Sequence, residues 1–110
     1  MEVPGGHNNK TNVLLSEFLG TIFMVCAINW SSVSSAVPQS AGLMLFILTQ
    51  LFGEISGAHF NPAVTFGMLF KEGSENWMRN FTFTIILIII QGIGALFGCL
   101  IASGGYSWAE

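Results

Sequence analysis

From Phe81 to Ala102 the chain carries no charged residue over more than twenty positions, and it contains the run Thr84-Ile85-Ile86-Leu87-Ile88-Ile89-Ile90. The β-branched content suits a buried strand, but strands are short, and an uncharged stretch of this length favours a membrane helix. Two further apolar segments precede it. Val13 to Trp30, about eighteen residues, is near the lower limit for a spanning helix, and Glu17 is its one charge. Val37 to about residue 54 is the second, interrupted by Gln39, Ser40, Thr49 and Gln50. Between these two lies the short polar run Ser31 to Ser35, with Trp30 placed where a membrane interface favours an aromatic. Composition agrees: 52% of residues are hydrophobic and 8% charged, against roughly a quarter charged in soluble domains.

The same numbers exclude other classes. Lys10, Lys71 and Arg79 are the only basic residues and the net charge is −3, so there is no basic patch for nucleic acid. Cys26 and Cys99 both lie inside apolar segments, and neither forms a C-x-x-C pair or a Cys/His cluster; both read as packing residues. No metal or cofactor is expected. Nor is an enzyme, since Glu17, Glu54 and His59 form no acid/base pair or nucleophile constellation. Without a clear A-x-A site after the first apolar segment, a cleaved signal peptide is not favoured.

The stretch Gly57-Ala58-His59-Phe60-Asn61-Pro62-Ala63-Val64-Thr65 is where local chemistry and position disagree. Asn61 is a preferred N-cap, and Pro62 fits the first helical position, where its missing N–H is no loss and its φ is already helical. A helix starting there ends at Lys71-Glu72-Gly73. It is about ten residues long, roughly 15 Å, half of a ~30 Å hydrocarbon core. One reading is a short surface helix after a loop. The other is a re-entrant segment that dips into the membrane and returns.

The charges bear on that choice. If the short helix is re-entrant, Lys10, Lys71 and Arg79 all fall on one face of the membrane. A three-to-zero split is a positive-inside signal, which puts the polar leader 1–12 and the 71–80 loop in the cytoplasm and Glu110 opposite. The expected layout is therefore a leader (1–12), a first span (about 13–30), a second (about 37–54), a re-entrant loop and half-helix (about 55–71) and a third span (about 81–102). Irregular backbone at mid-membrane is tolerated only where protein buries it or where it lines a water-filled cavity. Small Gly57 and Ala58 permit tight turns, and the half-helix would leave its positive dipole end near the midplane, which favours dipolar solutes and opposes cations. With its carbonyl occupied in capping, Asn61 presents two amide donors to a passing oxygen.

The run Ile55-Ser56-Gly57-Ala58-His59-Phe60-Asn61-Pro62-Ala63-Val64-Thr65 resembles the first signature loop of the aquaporin and glycerol-facilitator (major intrinsic protein) family. Glu17-Phe18-Leu19-Gly20-Thr21 resembles that family's first-helix motif, and Gln91-x-x-Gly94-Ala95-x-x-Gly98 its third. The resemblance covers nearly the whole chain. It implies an all-α membrane protein, half of an aquaporin-like bundle, with three transmembrane helices plus one re-entrant half-helix. The pore-lining or selectivity residues it implies are Gly57, Ala58, His59, Asn61, Pro62 and Ala63.

An acid in a membrane segment is a functional-site candidate by default. The family pattern makes Glu17 a brace that accepts hydrogen bonds from the signature loop; the alternative is an acid hydrated near the membrane surface. His59 reads as part of that brace rather than as a proton shuttle or metal ligand, since no second ligand stands at suitable spacing. Gln91 is expected to hydrogen-bond across a helix interface. Gly94 and Gly98, four apart, form a small-xxx-small face for close helix approach. Ala41 occupies the place where water-selective relatives carry a bulky aromatic, which implies either a wider constriction or a shifted register. Asn9-Lys10-Thr11, Asn29-Trp30-Ser31 and Asn80-Phe81-Thr82 match glycosylation acceptors, but the first and third would be cytoplasmic and the second lies close to the membrane.

The family's pore needs two inverted halves. This sequence has one Asn-Pro-Ala, and Arg79, in a loop, cannot serve as the constriction arginine. The expectation is an aquaporin-like half, natural or truncated, that conducts water or small neutral solutes only with a complementary second protein chain. Two like-oriented copies cannot form an inverted repeat. The alternative is a non-conducting structural subunit of a larger membrane complex, with membrane lipid around it.

Overall fold

The computed structural model describes residues 10–71 and 75–109, with side chains through residue 104. They form four helices: α1 (Lys10–Ser31), α2 (Val37–Ser56), α3 (Pro62–Lys71) and α4 (Trp77–Ala109). α1 and the Trp77–Gly104 part of α4 are long and apolar enough to cross a membrane. α2 has the length, at 20 residues, but its glutamines, hydroxyls and Glu54 dilute its apolar character.

The helix ends differ from the hydropathy pattern. α1 starts at Lys10 rather than Val13, and α4 starts at Trp77 rather than Phe81 and passes through Gly104-Gly105 to Ala109. Hydropathy marks the part of a helix that lipid selects, while the helix continues wherever its own backbone ladder is satisfied. Residues 77–80 are thus the first turn of α4, not surface loop, and Asn80 is buried. Of the other two acceptor sequences, Asn29 donates its side chain to the Val25 carbonyl at 2.8 Å, and Asn9 lies outside the described residues, as does most of the leader.

α1 and α4 run parallel. Going along α1, Lys10 lies over the Phe83 ring, Val13 packs with Phe83 and Leu87, Glu17 meets Gln91 and Cys26 reaches the Gly98 carbonyl. Each turn of one helix meets the next turn of the other. A Cβ on Gly94 would stand 2.8 Å from the Phe18 carbonyl, and one on Gly98 would stand 2.8 Å from the Val25 Cβ and 3.0 Å from the Ile22 carbonyl. Between helices in lipid there is little hydrophobic driving force, so close approach through small residues supplies the attraction. The edge-on Phe18–Phe97 pair, centroids 5.7 Å apart, closes this seam.

The buried side chains include Ser16, Glu17, Thr21, Thr65, Thr84 and Gln91, while Leu15, Phe23, Ile89, Leu96 and Leu100 are exposed. Polar inside and apolar outside is the arrangement suited to a lipid solvent.

α2 returns along α1, and the chain then turns inward. Phe60 sits at the level of Glu17 and Gly20, the latter near the middle of α1. α3 starts there, touches Gln91 of α4 through Thr65, and descends to Phe70, whose ring lies 6.1 Å from that of Trp77. α3 therefore begins in the middle of the bundle and ends at the end from which α1 and α4 start. Lys10, Lys71 and Arg79 share that end.

Candidate functional site

The irregular segment between α2 and α3 begins with a left-handed cap. Gly57 has φ +86° and its N–H donates to the Gly53 carbonyl at 3.0 Å. A side chain there would also stand 3.3 Å from His59 Nε2, so both φ and space call for glycine. Ser56 Oγ accepts the Ala58 N–H at 3.1 Å. Ala58 and Phe60 then adopt positive φ, 55° and 50°. Non-glycine residues in this region cost of order 1–3 kcal/mol each and persist only where the surroundings hold them.

Glu17 does the holding. Fully buried, it accepts the His59 N–H at 3.0 Å on Oε1 and the Phe60 N–H at 2.7 Å on Oε2. Two successive N–H groups converge on one carboxyl group, the geometry of a nest. Gln91 Nε2 adds a third donor to Oε2 at 2.9 Å and a bond to Thr65 Oγ1 at 2.8 Å. Thr65 in turn lies 3.1 Å from the Asn61 carbonyl and 3.1 Å from His59 Nδ1. The brace thus joins α1, the loop, α3 and α4 around one carboxylate.

Its geometry directs the opposite side of the loop. No peptide here is cis, and in a trans peptide the N–H and C=O point in opposite directions. With the N–H groups of His59 and Phe60 turned onto Glu17, the carbonyls of Ala58 and His59 point away from the α1–α4 core. Next to them Asn61 Oδ1 accepts the Ala63 N–H at 2.8 Å, a cap on the second helical position with Pro62 at the first. That bond fixes the amide plane and leaves Nδ2 on the exposed side. Carbonyl acceptors, two amide donors and a helix N-terminus thus share one open surface.

Of the residues singled out in the sequence, Glu17, His59 and Gln91 come together in the brace. Gly94 and Gly98 lie buried in the α1–α4 seam; Gly57, Asn61, Pro62 and Ala63 are exposed and Ala58 is half-buried. Ala41, half-buried near the start of α2, stands apart, toward the end opposite Lys10. Thr65, Phe60 and Gly20 were not singled out as site residues. Thr65 follows Asn61 by one turn, a spacing that returns a hydroxyl to the cap carbonyl. The Phe60 ring packs directly on Gly20, which leaves no room for a Cβ, and meets Phe52 edge-on at 6.2 Å. Gly20 lies one turn after Glu17, so a single face of α1 receives both backbone and ring of the loop.

Fold and site together define an all-α membrane protein built as a half bundle around a re-entrant half-helix. The family model of the major intrinsic proteins matches residues 6–109, and the chain belongs to that family. Similar curated proteins include aquaporin-2 of Procavia capensis habessinica, 43% identical over 67 residues, which covers 54% of this chain and 62% of the relative. The lens fiber major intrinsic protein of Lithobates pipiens is 36% identical over 99 residues, 83% of this chain and 36% of the relative. That of Ovis aries is 35% identical over 96 residues, 80% and 35% respectively. The matches thus span from about a third to about three fifths of these relatives. No solved structure matches significantly.

Proposed function

We propose that this chain forms one half of a passive membrane channel for water or small neutral solutes, not an enzyme, and that it conducts when a complementary second half closes the pore. The observation that carries this reading is the carboxylate-held loop, which aims the carbonyls of Ala58 and His59 and the Asn61 amide at one exposed surface. A solute with both donor and acceptor character can exchange its hydration for these groups, while the half-helix dipole opposes a cation. On this reading Gly57, Ala58, His59, Asn61, Pro62 and Ala63 line the path, and Ala41 stands toward its wider mouth. α2 crosses the membrane together with α1 and α4. The shared end of Lys10, Lys71 and Arg79 faces the cytoplasm.

What the helices leave uncovered supports the need for a second half. On α2 only Leu48 is buried, and on α3 only Thr65 and Leu69; no Cα atoms of these two helices come within 8 Å of each other. A pore wall standing opposite Asn61 has to come from elsewhere in the assembly. Stopped-flow water flux in proteoliposomes tests the reading. The chain alone should shrink no faster than empty vesicles, and the assembly purified from its native membrane should conduct quickly, with Asn61→Leu slowing it. Fast flux from the chain alone would show that it suffices by itself. Slow flux from the assembly would instead support a structural subunit.

A further inference from the structure

At the end where α1 and α4 both begin, the two helices leave a groove of about 420 Å3 lined by Lys10, Leu14, Met78, Arg79, Thr82, Phe83 and Ile86. We propose that this groove binds an anionic phospholipid, its phosphate between Lys10 and Arg79 and an acyl chain along Leu14, Phe83 and Ile86.

Charge and polarity favour this occupant. Among the described residues the lining includes two cations and no carboxylate, and Glu75, the nearest acid in sequence to Arg79, is exposed and outside it. Because α1 and α4 are parallel, their positive dipole ends stand side by side and add to the field of the two side chains. The Lys10 ammonium lies 5.7 Å from the centroid of the Phe83 ring. That contact positions the cation over the groove while leaving its charge available to an anion.

The rest of the lining is mostly apolar, and most of it follows Lys10 and Arg79 inward along the two helices. A phosphate at the rim with a hydrocarbon chain beneath satisfies both parts. A free phosphate would leave the apolar part uncovered, and a zwitterionic headgroup would bring a third cation to the first two. The position fits as well, since Lys10 and Arg79 lie where the apolar spans of α1 and α4 begin, at headgroup level. Basic pockets between membrane helices bind acidic headgroups. The proposal rests on α1 and α4 crossing the membrane and on neither conduction nor the cytoplasmic placement of this end.

Native mass spectrometry of the whole chain in neutral detergent tests it. The probes are phosphatidylglycerol and phosphatidylcholine with identical acyl chains, offered together. Phosphatidylglycerol should be retained about tenfold or more over phosphatidylcholine. Each cation removed should cost roughly fivefold, so the doubly substituted Lys10→Gln/Arg79→Gln chain should lose the preference. Lys71→Gln, at the same end but outside the groove, should keep it, and Ile86→Trp should lower retention of both lipids by filling the groove.

An unchanged preference in the double variant would overturn the site. An equal loss in Lys71→Gln would reduce it to diffuse charge, and displacement by equimolar inorganic phosphate would show a free-anion site instead. Lys10 and Arg79 are exposed, and unchanged helix content by circular dichroism would show that the variants fold. Micelles have no sides, so the outcome is independent of orientation. The substitutions leave Asn61 and its loop untouched, so lipid binding and solute flux can fail separately.

Discussion

The α1–α4 seam and the α2–α3 side are built on opposite principles. In the seam, glycines bring backbones together, Leu87 and Ala102 are each 1% exposed, and the carboxylate of Glu17 accepts hydrogen bonds from His59, Phe60 and Gln91. On the other side, α2 buries one residue of its 20, and nothing stands within 4 Å of a Cβ built on Gly42 or Gly67. The contrast teaches that the loop is supported mainly from the α1–α4 side, with α2 adding the Ser56 Oγ bond to the Ala58 N–H and the Phe52–Phe60 ring contact. Its strained backbone is held by α1 and α4, while the groups it turns outward have no packing to maintain. On the proposed function, stability and solute contact are thereby assigned to opposite faces of residues 57–61.

The largest effect should come from removing the point where the two regions meet. Glu17→Leu strands the His59 and Phe60 N–H groups and the Gln91 amide. Each buried donor left without a partner costs roughly 1–3 kcal/mol, so the two backbone N–H groups alone should cost about 2–6 kcal/mol. Unfolding in detergent followed by circular dichroism measures it, and amide exchange should rise first at residues 58–61. Glu17→Gln, which keeps one carbonyl acceptor, should lose about half as much. If Glu17→Leu were neutral, the loop would not depend on the seam and the contrast would collapse.

A second test sets glycine against glycine. Gly98→Leu drives a side chain into Val25 and the Ile22 carbonyl and should cost about 2–3 kcal/mol by forcing α1 and α4 apart. Gly67→Leu meets open space and should stay within about 0.5 kcal/mol. The pair is compared in the same unfolding assay. Equal losses would mean that the two faces are packed alike.

How far this was legible in the sequence depends on range. The start of α3 at Pro62 was readable because an N-cap and a first-turn proline are local rules, and the small-xxx-small spacing of Gly94 and Gly98 announced a close approach. Which helix approaches was not readable from spacing, since a glycine pair names no partner. The fold class and the motif containing Glu17 came through resemblance to a family, because the contact between Glu17 and residues 59, 60 and 91 joins parts of the chain that no local periodicity connects. Phe60 escaped notice for a different reason. In a chain rich in apolar side chains, one more phenylalanine carries no mark; only its positive φ and the missing Cβ at Gly20 show that it anchors the loop. Helix ends were missed because hydropathy follows lipid contact, whereas Lys10–Asn12 and Trp77–Asn80 are helical outside the apolar stretch.

The most local expected effect on stability lies on the open face and sharpens the division of labour most. Asn61→Ala removes the 2.8 Å bond to the Ala63 N–H, and loss of an N-cap costs about 1 kcal/mol. Because Asn61 is exposed and the brace beneath it is made by other residues, this loss should be confined to the first turn of α3. Hydrogen exchange should quicken at Ala63 and Val64, while His59 and Phe60 stay protected and the global unfolding midpoint barely moves. Should protection at His59 and Phe60 fall together with that at Ala63, the cap and the brace would be one cooperative unit, and the outward face would share in stability after all. With the brace intact, any change in solute passage caused by Asn61→Ala in the assembled protein belongs to the lost amide and the loosened first turn of α3, because the carbonyls of Ala58 and His59 would still be aimed as before.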